Sequence, residues 1–249
     1  NRKLKINDSL YFNDHSVEGK ILCKNTTGSW YVEFKNGKEF MEALRNTGKM
    51  PLPPYIKRNE KNQQLTTLDE TRYQTVYAKN AGAIAAPTAG LHFSEELLKK
   101  ITEKEITIAY ITLHVGLGTF QTIKEEDFTR HTMHKEFYKI PQETIDAVHN
   151  ARLLGKKIVA TGTTACRVLE TIGKDGRVKE HSGWTDLFIY PPYQFKITDS
   201  LVTNFHLQKT SLMLLVTAFA GRERVLNAYK CAIEQGYRFY SYGDCMLII

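Results

Sequence analysis

The stretch "KIVATGTTACRVLETI", residues 157–172, runs a buried strand directly into a helix. Lys157–Gly162 is short and apolar at its centre, bounded by a glycine, as a buried strand is. Thr163–Ile172 then reads as a helix, with Arg167 and Glu170 three apart on one face. A strand that passes straight into a helix is the unit of an α/β sheet. The same alternation surrounds it. "ITIAYITLH" (106–114) and "HKEFYKI" (134–140) read as strands, and Pro141 opens a helix that Gly155 ends. "TDLFIY" (185–190), "LVTNF" (201–205) and "CMLII" (245–249) read as further strands. "TSLMLLVTAFAG" (210–221) and "ERVLNAYKCAIEQ" (223–235) read as helices, and Ser94 caps another with Glu95 and Glu96 in its first turn. The pattern predicts an α/β fold, a main domain whose sheet is covered by helices.

Ahead of it the pattern differs. "SLYF" (9–12), "GKILCK" (19–24) and "SWYVEF" (29–34) are short strand-like runs, and "GKEFMEALRNTG" (37–48) closes them with a short helix. The proline-rich "MPLPPYIKR" (50–58) cannot be a helix interior and reads as a connector. "NEKNQQLTTLDE" (59–70) is polar without periodicity and reads as an exposed loop.

The chain has 249 residues and a formal net charge of +7. Residues 1–64 hold 12 basic and 7 acidic side chains, against 22 and 20 over residues 65–249. A basic front on a nearly balanced body fits a polyanion partner, and equally a solvated lysine-rich surface. Cys23, Cys166, Cys231 and Cys245 lie far apart with no CxxC pair, which points to reduced thiols and a cytoplasmic setting. The longest apolar run, 211–221, is too short to cross a bilayer, and no signal peptide is visible. The opening "NRKLKINDSL" has no initiator Met, so a fragment of a longer chain is expected.

"AAPTAGLHF" (85–93) suspends all charge and then sets His92 beside Phe93. Small side chains let a ligand reach backbone N–H and C=O groups. A tight packing turn reads as well on this stretch alone, but the device recurs in "VGLGTFQ" (115–121) and "TGTTACR" (161–167). Ligands of open α/β sheets collect at the carboxyl ends of strands, where such turns lie. Pro87, Thr88, Ala89, Gly90, Gly116, Gly118, Thr119, Gly162, Thr163 and Thr164 are therefore the expected ligand-binding residues, lining one pocket. None of the three turns matches GxGxxG or a Walker A sequence, so neither a dinucleotide nor ATP is assigned.

Four of the eight histidines, His92, His114, His131 and His134, fall between positions 92 and 134. A metal-dependent hydrolase would need them to converge, yet no HExxH or cysteine partner supports zinc. Acid–base or hydrogen-bonding work suits imidazole near neutral pH. His92 and His114, each adjoining a small-residue turn, are the strongest candidates, with His134 beside them. Arg167 and Glu170, three apart on a helix, read either as an ion pair or as a pair that orients substrate. Asp244 and His206 are polar residues in apolar surroundings, and Trp184, Phe188, Tyr190, Tyr193 and Phe195 could stack a base.

Taken in order, "LPPYI" (52–56), "RYQTVYA" (72–78), "AAPTAGLHF", "ITLHVGLGTF" (111–120), "HTMHKEFY" (131–138), "TGTTACRVLET" (161–171), "SGWTDLFIYPPYQFK" (182–196), "TNFHLQKTSLMLLVTAFAG" (203–221) and "YRFYSYGDCMLII" (237–249) closely resemble the S-adenosylmethionine:tRNA ribosyltransferase-isomerase family of queuosine biosynthesis. The resemblance runs from about Met50 to Ile249. It is looser over 1–49, which resembles the end of the family's inserted small β-barrel domain, leaving 50–249 as the α/β catalytic domain. The family's N-terminal segment is absent, and Gln208 stands where the family pattern usually has Pro. The resemblance implies a monomeric cytoplasmic enzyme with no prosthetic group, no metal and no membrane association. It implies S-adenosylmethionine as the ribosyl donor. The acceptor would be a tRNA carrying 7-aminomethyl-7-deazaguanine, and the products epoxyqueuosine-tRNA, adenine and methionine. A non-catalytic RNA-binding module is the remaining alternative, and would need only the basic front and the aromatics.

Overall fold

Alternation within one strand organises the first fifty residues. In β2 (Val17–Lys24), Val17, Gly19 and Ile21 are buried while Lys20 and Leu22 are exposed. β1 (Ser9–Phe12) and β3 (Trp30–Phe34) pair with it on either side, both antiparallel. Gly19 is glycine because a β-carbon there would lie 2.6 Å from Val32 Cγ1. Phe34 stacks on Phe40 of α1 (Gly37–Thr47), and Asn36 caps that helix by accepting from the N–H groups of Lys38 and Glu39. In this computed structural model all residues are described except 1–3, 13–15, 26–28, 59–62, 117–121, 124, 174–177 and 179–180, and only the backbone of 63, 64 and 66.

The chain divides into two compact units, Asn1–Met50 and Pro51–Ile249. The second holds, in order, α2 (Gln63–Arg72), α3 (Glu95–Glu103), β4 (Thr112–His114), β5 (Glu136–Lys139), α4 (Gln142–Leu153), β6 (Val159–Thr161), α5 (Thr163–Ile172), β7 (Ser182–Thr185), β8 (Ser200–Asn204), α6 (Ser211–Ala220), α7 (Arg222–Glu234) and β9 (Cys245–Ile248). The fold is mixed α/β, with three three-stranded sheets and seven α-helices among the described residues. Instead of one sheet, the second unit has an antiparallel sheet β4-β5-β7 and a sheet β6-β8-β9, in which β6 and β8 are parallel. One core joins them: Tyr138 and Ile140 from the first, Leu201 from the second, and Val168, Leu215, Val216 and Val225 from helices α5, α6 and α7.

Three stretches differ from their sequence reading. Of 106–114 only Thr112–His114 forms a ladder. Upstream, the Tyr110 carbonyl accepts from the Thr144 hydroxyl of α4 and not from a strand. Of 185–190 only Thr185 is in the ladder, because the Leu187 N–H turns back to the Thr185 hydroxyl and its carbonyl accepts from Arg167 Nε at 2.9 Å. The expected loop over 59–70 contains helix α2 instead. That helix lacks an apolar stripe, and it is held by its buried Asp69, which accepts from Arg58 Nε at 2.6 Å, Arg58 Nη2 at 2.9 Å and the Tyr242 hydroxyl at 2.8 Å. The Arg58 hydrogen bonds hold the Asp69 carboxyl below its ordinary range. Ionic anchoring of this kind leaves no periodic trace in a sequence.

Glu170, on the buried face of α5, is wholly inaccessible. Its Oε1 accepts from the N–H groups of Ile197 (3.0 Å) and Thr198 (2.9 Å), and its Oε2 from Lys196 N–H (2.7 Å). Three donors that feed into β8 thus converge on one side chain. Glu170→Gln replaces one acceptor oxygen with a donor facing an N–H group. The expected loss in urea unfolding is about 2–3 kcal/mol, while exposed Glu223→Gln changes stability by less than about 0.5 kcal/mol. Equal stability of the two variants would show that these bonds do not hold the loop.

Candidate active site

Two turns and the end of a strand enclose one cavity. Ladder pairing carries β6 to Gly162, whose N–H donates to the Val202 carbonyl at 2.8 Å. Gly162 takes φ +94°, which a side chain would strain, and so turns the chain into α5 within one residue. No side chain caps α5, so its first N–H groups stay available where Gly162, Thr163 and Thr164 line the cavity. Opposite lie Ala85–Ala89, tied to β4 by the bond from Ile84 N–H to the Val115 carbonyl, and Val115 itself lines the cavity. The far wall is Thr203–Leu207, Thr210 and Leu212, with Tyr55, Tyr240 and Ser241. No lining residue carries a charge at neutral pH other than through a histidine.

Asn204 organises this wall. It is 2% exposed, and its Nδ2 donates to the Tyr240 carbonyl at 3.1 Å while its Oδ1 accepts from the Thr88 hydroxyl at 3.3 Å. Those two bonds fix which end of the amide is nitrogen. The same Nδ2 lies 3.0 Å from His92 Nε2, which must therefore accept, leaving the His92 proton on Nδ1. Burial lowers the His92 pKa, Asp244 pulls it back up and Arg238 adds to the lowering. His92 stands behind Asn204 and does not itself line the cavity. His206 does. Its Nε2 is 2.7 Å from the Thr203 hydroxyl, its backbone N–H donates to the Tyr229 oxygen at 2.7 Å, and burial pushes its pKa down to about 4. Both imidazoles are neutral at pH 7.

The turn after His206 contains Lys209 at φ +56°, and Thr210 closes it by donating to the Leu207 carbonyl and capping α6 at Met213 N–H. Tyr240, also lining the cavity, has φ +70°. Backbone held in this region costs free energy, and here it is over-determined by the surrounding bonds. One support comes from the connector: the Tyr55 and Ser241 hydroxyls are hydrogen-bonded, and Tyr73 donates to Ser241 at 3.2 Å.

The other expected site residues lie elsewhere. Gly90 is buried off the cavity, and is glycine because a β-carbon would lie 2.0 Å from the Tyr77 hydroxyl. Gly116 follows Val115 without lining the cavity, and Gly118 and Thr119 lie outside the described residues. Arg167 and Glu170 do not pair with each other. Arg167 Nη1 bonds Glu136 at 2.7 Å inside the core, and Glu170 holds residues 196–198. His114 stacks on Phe137, and its buried Nδ1 has no hydrogen-bond partner among the described residues. His134 is half-buried beside β5, while His131 bonds Glu125 at 3.3 Å. Among the described residues no three His, Cys, Asp or Glu side chains converge as a metal ion would require. Asn204, Thr203, Thr210, Tyr240 and Ser241 escaped the sequence reading, since only a strand end and two distant turns folded together bring them to the cavity.

A family model described as a queuosine biosynthesis protein matches residues 1–248. The S-adenosylmethionine:tRNA ribosyltransferase-isomerase of Clostridium kluyveri is 48% identical over 248 residues, covering 99% of this chain and 71% of that protein. The protein of the same name from Thermoanaerobacter sp. (strain X514) is 49% identical over 249 residues, 100% of this chain and 71% of the relative. A crystal structure of an S-adenosylmethionine tRNA ribosyltransferase from Thermotoga maritima aligns with a TM-score of 0.54 at 32% identity, covering 99% of this chain and 67% of that one. These alignments cover nearly the whole chain, the elements that build the cavity included. The chain belongs to the S-adenosylmethionine:tRNA ribosyltransferase-isomerase family of queuosine biosynthesis.

Proposed function

We propose that the cavity at the carboxyl ends of β6 and β8 binds S-adenosylmethionine and that the chain performs the reaction of its family. In that reaction the ribosyl group of S-adenosylmethionine is transferred and isomerised onto 7-aminomethyl-7-deazaguanine in a tRNA anticodon. Epoxyqueuosine-tRNA, adenine and methionine are the products. The single observation that carries the placement is the meeting of the 85–89 turn and the start of α5 in one cavity beside parallel strand ends. The expected ligand-contacting residues Pro87, Thr88, Ala89, Gly162, Thr163 and Thr164 all line it.

The chemistry fits the lining. A sulfonium cation enters most easily where no lysine or arginine opposes it, and the histidine of the wall, His206, is neutral. The free N–H groups at the start of α5 suit the donor's carboxylate. The sulfonium acidifies the adjacent ribose C–H, and an unprotonated imidazole is the form that can accept the proton. His206 is the lining imidazole. Once protonated against its environment it becomes a strong acid, able to deliver that proton to the departing adenine. His92 acts through Asn204 and is a positioning residue in this scheme. The 1–49 unit, read as part of the family's small β-barrel, and the monomeric state belong to the same proposal.

Adenine release by the full-length protein, given S-adenosylmethionine and tRNA bearing the modified base, is the direct assay. His206→Gln is expected to lower turnover about 100-fold or more while melting like the parent. His92→Gln should raise KM for S-adenosylmethionine more than it lowers kcat. Parental turnover in His206→Gln would remove that residue from the chemistry.

A pH signature follows from the same residue. The folded-state pKa of His206, about 4, lies below the unfolded value of about 6.5. The unfolded chain therefore binds more protons between these values, and stability is lost as pH falls from about 6.5 to about 4. Urea midpoints measured across that window should decline more steeply in the parent than in His206→Gln. Parallel declines would show that His206 titrates normally.

A further inference from the structure

The antiparallel sheet carries a feature that the cavity does not use. Register places His114 of β4 opposite Phe137 of β5, and Phe137 opposite Trp184 of β7. The three rings form one row across the sheet. His114 and Phe137 are near-parallel with centroids 5.9 Å apart, and Phe137 meets Trp184 edge-on at 5.4 Å. Their strand neighbours Glu136 and Tyr138 are buried, so the row stands on the face turned away from the core. Trp184 is 63% exposed, an unusual position for the largest apolar side chain.

Charge accompanies the rings. Lys135 and Lys139, two residues to either side of Phe137, are both exposed. Exposed Asp186 lies just beyond the end of β7, on the Lys135 side. Among the described residues, the cross-strand neighbours of Lys139 are the uncharged Thr112 and Ser182. Exposed rings flanked by lysines bind unpaired nucleotides, with bases stacked on the rings and phosphates drawn to the cations. The row also runs into the cavity wall, because His114 immediately precedes the lining residue Val115.

We propose that exposed Trp184, backed by half-buried Phe137 and His114, is a stacking platform for an unpaired nucleobase of the RNA substrate, with Lys139 binding an adjacent phosphate. This rests on the tRNA-modifying activity proposed above, and supplies that activity with a docking surface next to its cavity. An enzyme that works on a base in an RNA loop needs such a surface, because unpaired bases offer their faces for stacking. Trp184 is the outer, most accessible ring and contributes most of the contact.

The chain has two tryptophans, so Trp30→Phe leaves Trp184 as the sole indole reporter. That variant is titrated with an anticodon stem-loop RNA and, separately, with a fully paired RNA of equal length. The expected result is saturable quenching by the stem-loop and much less by the duplex. Trp184→Ala should weaken stem-loop binding about tenfold, Trp184→Phe should restore most of it, and Lys139→Gln should flatten the salt dependence. Trp184→Ala should also raise KM for the RNA without lowering kcat. Unchanged emission at saturating RNA, or a parental Kd in Trp184→Ala, overturns the platform. So does an emission shift on raising protein concentration alone, which would mean that a second copy covers this face. Adenine release separates the two readings. If the parent releases adenine but Trp184→Ala binds RNA normally, the activity stands and the platform falls. Quenching and weakened binding without any adenine release keep the platform and remove the activity.

Discussion

A single carboxylate, Glu170, decides where β8 runs. It receives N–H groups from Lys196, Ile197 and Thr198, the three residues that lead toward the strand. Asp199 continues the register: its carboxylate accepts from Ile158 N–H, and its own N–H donates to the Ile158 carbonyl at the head of β6. β8 is thereby laid parallel to β6 with Val159 opposite Ser200. Because both strands then end on the same side, Thr203 and Asn204 come to line the cavity beside Gly162–Thr164. Glu170 sits on the same helix whose first residues line that cavity, so α5 holds both the position of the wall and the floor beneath it. Buried charge that is this fully hydrogen-bonded specifies one arrangement, since any slip leaves donors or oxygens unpaired.

Neutrality is the second organising property. The wall is built from alanines, threonines, a serine, tyrosines and an asparagine, and its one histidine is held uncharged by burial. The charged groups nearby are consumed among themselves. Arg58 pairs with Asp69, Arg238 with Asp244, and Arg167 with Glu136. Each pair ties a segment down: the connector to α2, the last turn to the start of β9, and β5 to α5. The ion pairs therefore build the frame, and the cavity is left to hydroxyls, small side chains and one neutral imidazole, which suit a cationic donor.

The sequence made the strand–helix alternation legible at 157–172 and 211–220, although β6, read as a buried strand, buries Ala160 and leaves Val159 exposed. Ser94 and Gly155 marked helix ends because capping and positive φ are local requirements. It was least legible where a distant side chain takes over a backbone group. Arg167 ends the Leu187 segment as a strand, and Arg58 and Tyr242 stabilise a helix with no stripe of its own. The small residues at 85–89 and 162–164 were readable in the sequence as turns, and the fold brings both to one cavity. Gly90 carried the same signal for a different reason, the crowding of Tyr77. Arg167 and Glu170, three apart, read as an ion pair or as a substrate-orienting pair, but spacing alone could not say that their partners are Glu136 and the 196–198 backbone. Asn204 carried no signal, because an asparagine at a strand end is ordinary until Thr88, His92 and Tyr240 are known to surround it.

The decisive measurement follows the atoms of the donor. S-adenosylmethionine labelled in its ribose carbons, and separately in its S-methyl group, is incubated with the full-length protein and tRNA bearing the modified base. Transfer of the ribosyl group predicts that ribose label enters the tRNA while methyl label leaves with methionine. Methyl label in the tRNA, with adenine and ribose remaining together in the released nucleoside, would contradict it.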